Sequence, residues 1–146
     1  MGVQSLYTGY LVEKSRDKKR SGAPENVDAY KKKTGNNPVC GDQITWYVKL
    51  EGRRIVDIRY EVKGCLISKA SASFLAEIAA RKTIDEVKKF MERLAEVIKA
   101  NATEPSEVEL KKQNWLALAQ IRDYPTRKKC VLLAWETLLD LFGGIS

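Results

Sequence analysis

The sequence predicts an α+β domain: a small antiparallel β-sheet, a hairpin plus one strand, packed against four to five helices. Three observations lead there. Residues 43–50 and 55–62 alternate apolar and polar side chains around a glycine turn. The chain beyond residue 65 carries apolar residues at helical spacing, with an N-terminal capping signal at Thr83-Ile84-Asp85-Glu86. The strand signals come first and the helical ones follow, which is the order of an α+β fold rather than of alternating β-α units.

Taken in order, Val3, Leu6, Tyr7, Tyr10 and Leu11 recur at helical spacing, so residues 3–13 are expected to form a short amphipathic helix. Residues 14–37 are polar and basic and contain Ser21-Gly22-Ala23-Pro24 and Thr34-Gly35-Asn36-Asn37-Pro38. They read as a long loop, with a turn of helix near Glu25 to Tyr30. In the first hairpin strand Ile44, Trp46, Val48 and Leu50 share one face, and Thr45, Tyr47 and Lys49 the other. Glu51-Gly52-Arg53 is the turn. In the second strand Val56, Ile58, Tyr60 and Val62 are expected on one face. An isolated hairpin is marginal, and Tyr30 to Thr34 is the candidate third strand.

Residues 66–80 are rich in Ala and Leu and read as a helix. The Thr83 capping box opens another that runs through Lys99, with Val87, Phe90, Met91, Leu94, Val97 and Ile98 on one stripe. Residues 104–109 read as a polar connector and Trp115 to Ile121 as a shorter helix. Pro125 suits the first turn of a last helix that ends near Phe142, before Gly143-Gly144. The organisation expected is one domain over 1–146: an N-terminal helix and basic loop in 1–35, and a core in 36–142.

A chain of 146 residues with a 44% hydrophobic fraction can bury a core. No run of about 20 apolar residues is present, and the N-terminus lacks the basic-then-apolar order of a signal peptide. A cytoplasmic location is expected. The net charge is +7, from 26 basic and 19 acidic residues. Lys18-Lys19-Arg20 and Lys31-Lys32-Lys33 are short and carry little aromatic interleaving. A Lys/Glu-rich solvated surface accounts for them better than nucleic-acid binding does. Histidine is absent altogether. That excludes Ser-His and Cys-His catalysis and His-ligated zinc.

The three cysteines carry the chemistry. Their odd number, in a reducing compartment, argues for metal or redox chemistry over a disulfide framework. Cys40 precedes the first hairpin strand, Cys65 lies between strand and helix, and Cys130 is near the start of the last helix. At such element ends backbone N–H groups and nearby cations favour the thiolate. Lys69, four residues after Cys65, and Arg127, three before Cys130, are placed to supply those cations and to tune the thiols. Gly64 is expected to give Cys65 an unusual backbone and an open approach. Asp42 adds an oxygen. Three sulfurs and one oxygen would make a four-coordinate metal site.

Three segments together resemble the NifU N-terminal/IscU/SufU family of iron–sulfur cluster assembly proteins. They are Asn37-Pro38-Val39-Cys40-Gly41-Asp42, Gly64-Cys65-Leu66-Ile67-Ser68-Lys69-Ala70-Ser71-Ala72-Ser73, and Tyr124-Pro125-Thr126-Arg127-Lys128-Lys129-Cys130-Val131-Leu132-Leu133-Ala134-Trp135. The resemblance covers roughly 36–142. It implies that Cys40, Asp42, Cys65 and Cys130 converge on one exposed metal or cluster site. It implies a scaffold that receives sulfur from a cysteine desulfurase, holds a nascent [2Fe–2S] cluster and passes it to apo iron–sulfur acceptor proteins, with homo-oligomers left open. Lys129 stands where classical IscU members have a histidine, and Tyr124-Pro125-Thr126-Arg127-Lys128 replaces their chaperone motif. Those departures look more like SufU. They keep open the alternative of an enzyme, a zinc-dependent sulfurtransferase in which Zn²⁺ takes the site. Cys40 is the sulfur acceptor implied by that likeness.

Overall fold

The computed structural model describes residues 3–38 and 41–145. The chain runs α1 (Val3–Ser15), β1 (Lys31–Asn37), β2 (Asp42–Glu51), β3 (Arg54–Lys63), α2 (Leu66–Ala79), α3 (Ile84–Val97), α4 (Glu107–Lys112) and α5 (Pro125–Gly143). Short 3₁₀ segments cover Val27–Ala29 and Asn114–Ile121. The three strands form one antiparallel sheet in the order β1-β2-β3, and α2 and α5 pack against it.

The hairpin forms where the alternation places it. Ile44, Trp46 and Val48 are buried and face Val62, Tyr60 and Ile58 across the β2–β3 ladder. One expectation is corrected. A bulge between Lys49 and Leu50 pairs Lys49 with Asp57 but Leu50 with Ile55, so Val56 is the extra residue. Ile55 is fully buried in its place. The bulge shifts the side-chain alternation by one position, which strict period-two counting does not see.

Part of the segment expected as a loop is strand. β1 extends the Tyr30–Thr34 candidate to Asn37 and pairs with β2 throughout, from Lys31 against Val48 to Asn37 against Asp42. Its side chains are mostly exposed, and lysines on a sheet edge guard against further strand pairing. Its fit depends on Gly35, because a methyl there would fall 2.0 Å from Oγ1 of Thr137 on α5. The stretch before it also has a fixed course. Tyr60 N–H donates to Arg20 O (3.0 Å), Gly22 N–H donates to Tyr60 O (2.8 Å), and the Arg59 guanidinium donates to Ser21 and Gly22 carbonyls.

The capping box at Thr83 and Glu86 is formed in both directions. A second one, Ser106 with Glu109, opens α4 inside the expected polar connector. That helix buries only Leu110, so it has no apolar stripe to announce it. The expected helix at Trp115–Ile121 is 3₁₀. No helix among the described residues is long and apolar enough to cross a membrane.

Candidate metal centre

Three elements deliver one ligand each. Asp42 is the first residue of β2, Cys65 is the N-cap of α2, and Cys130 lies in the second turn of α5. Their ligand atoms all lie within 4.8 Å of one another. Cys65 Sγ is 4.0 Å from Asp42 Oδ2. Asp42 and Cys130 are buried and Cys65 is half-buried, so the cluster opens to solvent on the Cys65 side. Cys40 lies outside the described residues. Its neighbour Gly41 has φ +76°, a left-handed backbone that favours glycine, and donates its N–H to Asn37 O at 2.8 Å.

Hydrogen bonds from two tryptophans and a serine hold the three elements in register. The Trp46 indole on β2 donates to Ala134 O on α5 (2.8 Å). Ser71 on α2 donates to Val131 O, next to Cys130, at 2.8 Å, and accepts the Trp135 indole N–H at 2.7 Å. All three side chains are buried. Sequence reasoning passed over Ser71 and Ser68. The available signal was a pair of hydroxyls facing inward in an otherwise apolar helix, where a buried hydroxyl needs a partner. Ser68 donates to Asp42 Oδ2, and its Oγ is 3.6 Å from Cys65 Sγ.

The role expected of Gly64 is corrected as well. It is not among the positive-φ glycines. What it supplies is room, because a Cβ there would sit 2.6 Å from Asp42 Oδ1 and 2.7 Å from its Cγ.

The two described thiols are unlike. Burial works to raise the Cys65 pKa, but the Ser68 amide and hydroxyl and the Cys130 thiol outweigh it, so Cys65 ends below its ordinary value. Burial, the hydrogen bond with Cys65 and the negative charge of Cys65 and Asp42 push Cys130 up to about 12. The two thiols are thus shifted in opposite directions, Cys65 toward the thiolate and metal-free Cys130 away from it. Arg127 is exposed and borders a neighbouring cavity, and the charges acting on Cys130 come from Cys65 and Asp42. A proton held on Cys130 is released when a metal binds there.

The donor set, thiolate sulfur with one carboxylate, suits zinc or iron–sulfur ligation. Comparison with known proteins places this arrangement. The family model for the NifU-like N-terminal domain matches residues 6–131, which include Asp42, Cys65 and Cys130. The chain belongs to the NifU N-terminal domain family. An iron–sulfur cluster assembly scaffold protein IscU of Thermotoga maritima is 32% identical over 146 residues, covering 100% of this chain and 99% of that protein. The zinc-dependent sulfurtransferase SufU of Bacillus subtilis is 32% identical over 103 residues, 70% of this chain and 68% of that protein. Equal identity places this family member nearer to neither. A crystal structure of a proposed SUF-system iron–sulfur scaffold from Fervidobacterium islandicum AW-1 is similar in fold, with TM-score 0.76 and 33% identity over 95% of this chain and 98% of that one.

Proposed function

We propose that this protein is an iron–sulfur cluster assembly scaffold, with the cluster as its cargo. The observation that carries the reading is the convergence of Asp42, Cys65 and Cys130 from three separate elements, with one side open. Cys40, by its place in the shared motif, completes the ligand set. A cysteine desulfurase is the sulfur source and apo iron–sulfur proteins are the acceptors. Cys65 and Cys130, fixed on helices, keep hold of the cargo. Asp42, oriented by Ser68, is the weak ligand through which it leaves, because a carboxylate oxygen is a poorer partner than thiolate for iron in a cluster. Arg127 offsets the negative charge of the loaded ligand set.

Sulfur transfer fits Cys40. Its thiolate attacks the outer sulfur of the desulfurase persulfide, the S–S bond of the donor breaks, and the donor cysteine leaves as thiolate. Cys40 then carries the persulfide. Mass spectrometry after mixing with desulfurase and cysteine is expected to find the added sulfur on Cys40. Its appearance on Cys130 alone would move the acceptor role there, and no added sulfur on any cysteine would eliminate the transfer step.

One observation favours zinc as a second reading. A tetrahedral shell built on a Zn–S distance of about 2.3 Å has ligand–ligand edges of about 3.8 Å. The 4.0 Å between Cys65 Sγ and Asp42 Oδ2 is close to that edge, and with all three ligand atoms within 4.8 Å of one another a small closure would let them share one ion. Purification without oxygen, followed by iron, sulfide and zinc analysis and a visible spectrum, separates the readings. Bound iron and sulfide with charge-transfer absorption are expected. Stoichiometric zinc that iron and sulfide cannot replace would give the sulfurtransferase reading instead.

Asp42→Ala is expected to slow cluster transfer to an apo-ferredoxin several-fold while leaving cluster binding intact. An unchanged transfer rate would remove the exit role of Asp42.

A further inference from the structure

Asp42 is 4% exposed, and a buried carboxylate needs a partner for its charge. A metal ion supplies one, and the fold supplies another. Ser68, in the first turn of α2 and 2% exposed, donates its hydroxyl to Asp42 Oδ2. The thiols of Cys65 and Cys130 stand close by, but a thiol is a weak donor. Gly64 limits the other side, since a Cβ there would sit 2.6 Å from Oδ1.

Oδ2 is also the oxygen that lies 4.0 Å from Cys65 Sγ, on the side of the thiols. Metal and hydroxyl therefore compete for one oxygen. The hydroxyl has a single proton and a second acceptor within reach, Cys65 Sγ at 3.6 Å. It can donate to the carboxylate or to the sulfur, but not to both at once.

From this we infer that Ser68 is a positioning residue for ligand release: its hydroxyl turns from Cys65 Sγ to Asp42 Oδ2 as the carboxylate leaves the metal, and so lowers the cost of opening the site. The inference rests on Asp42 being the exit ligand. Without the hydroxyl, the freed carboxylate loses a charge-assisted hydrogen bond and remains a buried charge. The metal-held carboxylate needs no such donor, and Cys65 loses only a weak contact to sulfur. Ser68→Ala therefore penalises the open site more than the loaded one, and the metal is held more tightly.

The test is a competitive zinc titration of the full chain carrying Ser68→Ala, with thermal unfolding of the metal-free chain beside it. Zinc affinity is expected to rise about three- to tenfold, part of one charge-assisted hydrogen bond. The Tm of the metal-free chain is expected to fall. A serine with a merely structural role would lower both. In the Asp42→Ala background, Ser68→Ala is expected to leave zinc affinity unchanged, because the effect runs through the carboxylate. Cluster transfer to an apo-ferredoxin is expected to slow several-fold in Ser68→Ala. Unchanged or weaker zinc binding in Ser68→Ala, or the same rise in the Asp42→Ala background, would overturn the inference. Transfer at the wild-type rate by Asp42→Ala would instead remove the exit role on which it rests, and the zinc titration tells the two failures apart.

Discussion

Trp135→Ala is expected to lower folding stability by about 3–5 kcal/mol, a large share of the roughly 5–15 kcal/mol that a domain of this kind possesses. The indole is 2% exposed and stacks on Phe90 with ring centroids 5.5 Å apart and planes at 17°. Its N–H donates to Ser71, which in turn donates to the carbonyl following Cys130. The substitution therefore opens a cavity and also releases the link between α2 and α5, which carry Cys65 and Cys130. Trp135→Phe separates the two effects. It keeps most of the packing and removes the N–H, so it is expected to cost about 1 kcal/mol and still weaken metal binding measurably. Urea denaturation of the metal-free chain and a competitive zinc titration measure both. A loss below about 1 kcal/mol for Trp135→Ala would show that the α2–α5 packing does not depend on this side chain.

Gly64→Ala is expected to cost about 1–3 kcal/mol and to disorganise the ligand set. Glycine-to-alanine replacement at a compatible backbone position stabilises by about 0.4–1 kcal/mol through the unfolded state. Here the steric term wins, because the new methyl would meet the Asp42 carboxylate at 2.6–2.7 Å. That carboxylate is buried and held by Ser68. It must swing away, taking with it the oxygen ligand, so cluster transfer is expected to become at least as slow as in Asp42→Ala. A double-mutant cycle isolates the clash. The Asp42→Ala background removes the 2.6 Å and 2.7 Å contacts and leaves the 3.2 Å one with the residue 42 Cβ, so most of the stability cost of Gly64→Ala is expected to disappear. An equal cost in both backgrounds would place the strain in the backbone of residue 64 and not in the contact with Asp42.

Much of this molecule was legible in the chain as written. The alternation in 43–50, the capping box at Thr83 and Pro125 before the last helix each act over a few residues, so local physics gives the hairpin, α3 and α5. The absence of histidine and the three motif segments gave the ligand types and the family. What local pattern could not supply was anything set by a partner distant in sequence. β1 has lysines where a strand-former is expected, and it is a strand because β2 pairs with it and Gly35 fits against Thr137. Val56 lost its core position to Ile55 through a bulge in the ladder. The 4.8 Å grouping of Asp42, Cys65 and Cys130 depends on Trp46, Ser71 and Trp135, whose hydrogen bonds span 88, 60 and 64 residues. Cys130, read as a thiolate from its basic neighbours, is a thiol in the metal-free fold. What shifts it comes from folding, which buries its sulfur against Cys65 and near Asp42. The sequence by itself determined which atoms are available for ligation; tertiary packing decided how far apart they stand and which of them holds a proton, because burial and through-space charge act on distance, not on order along the chain.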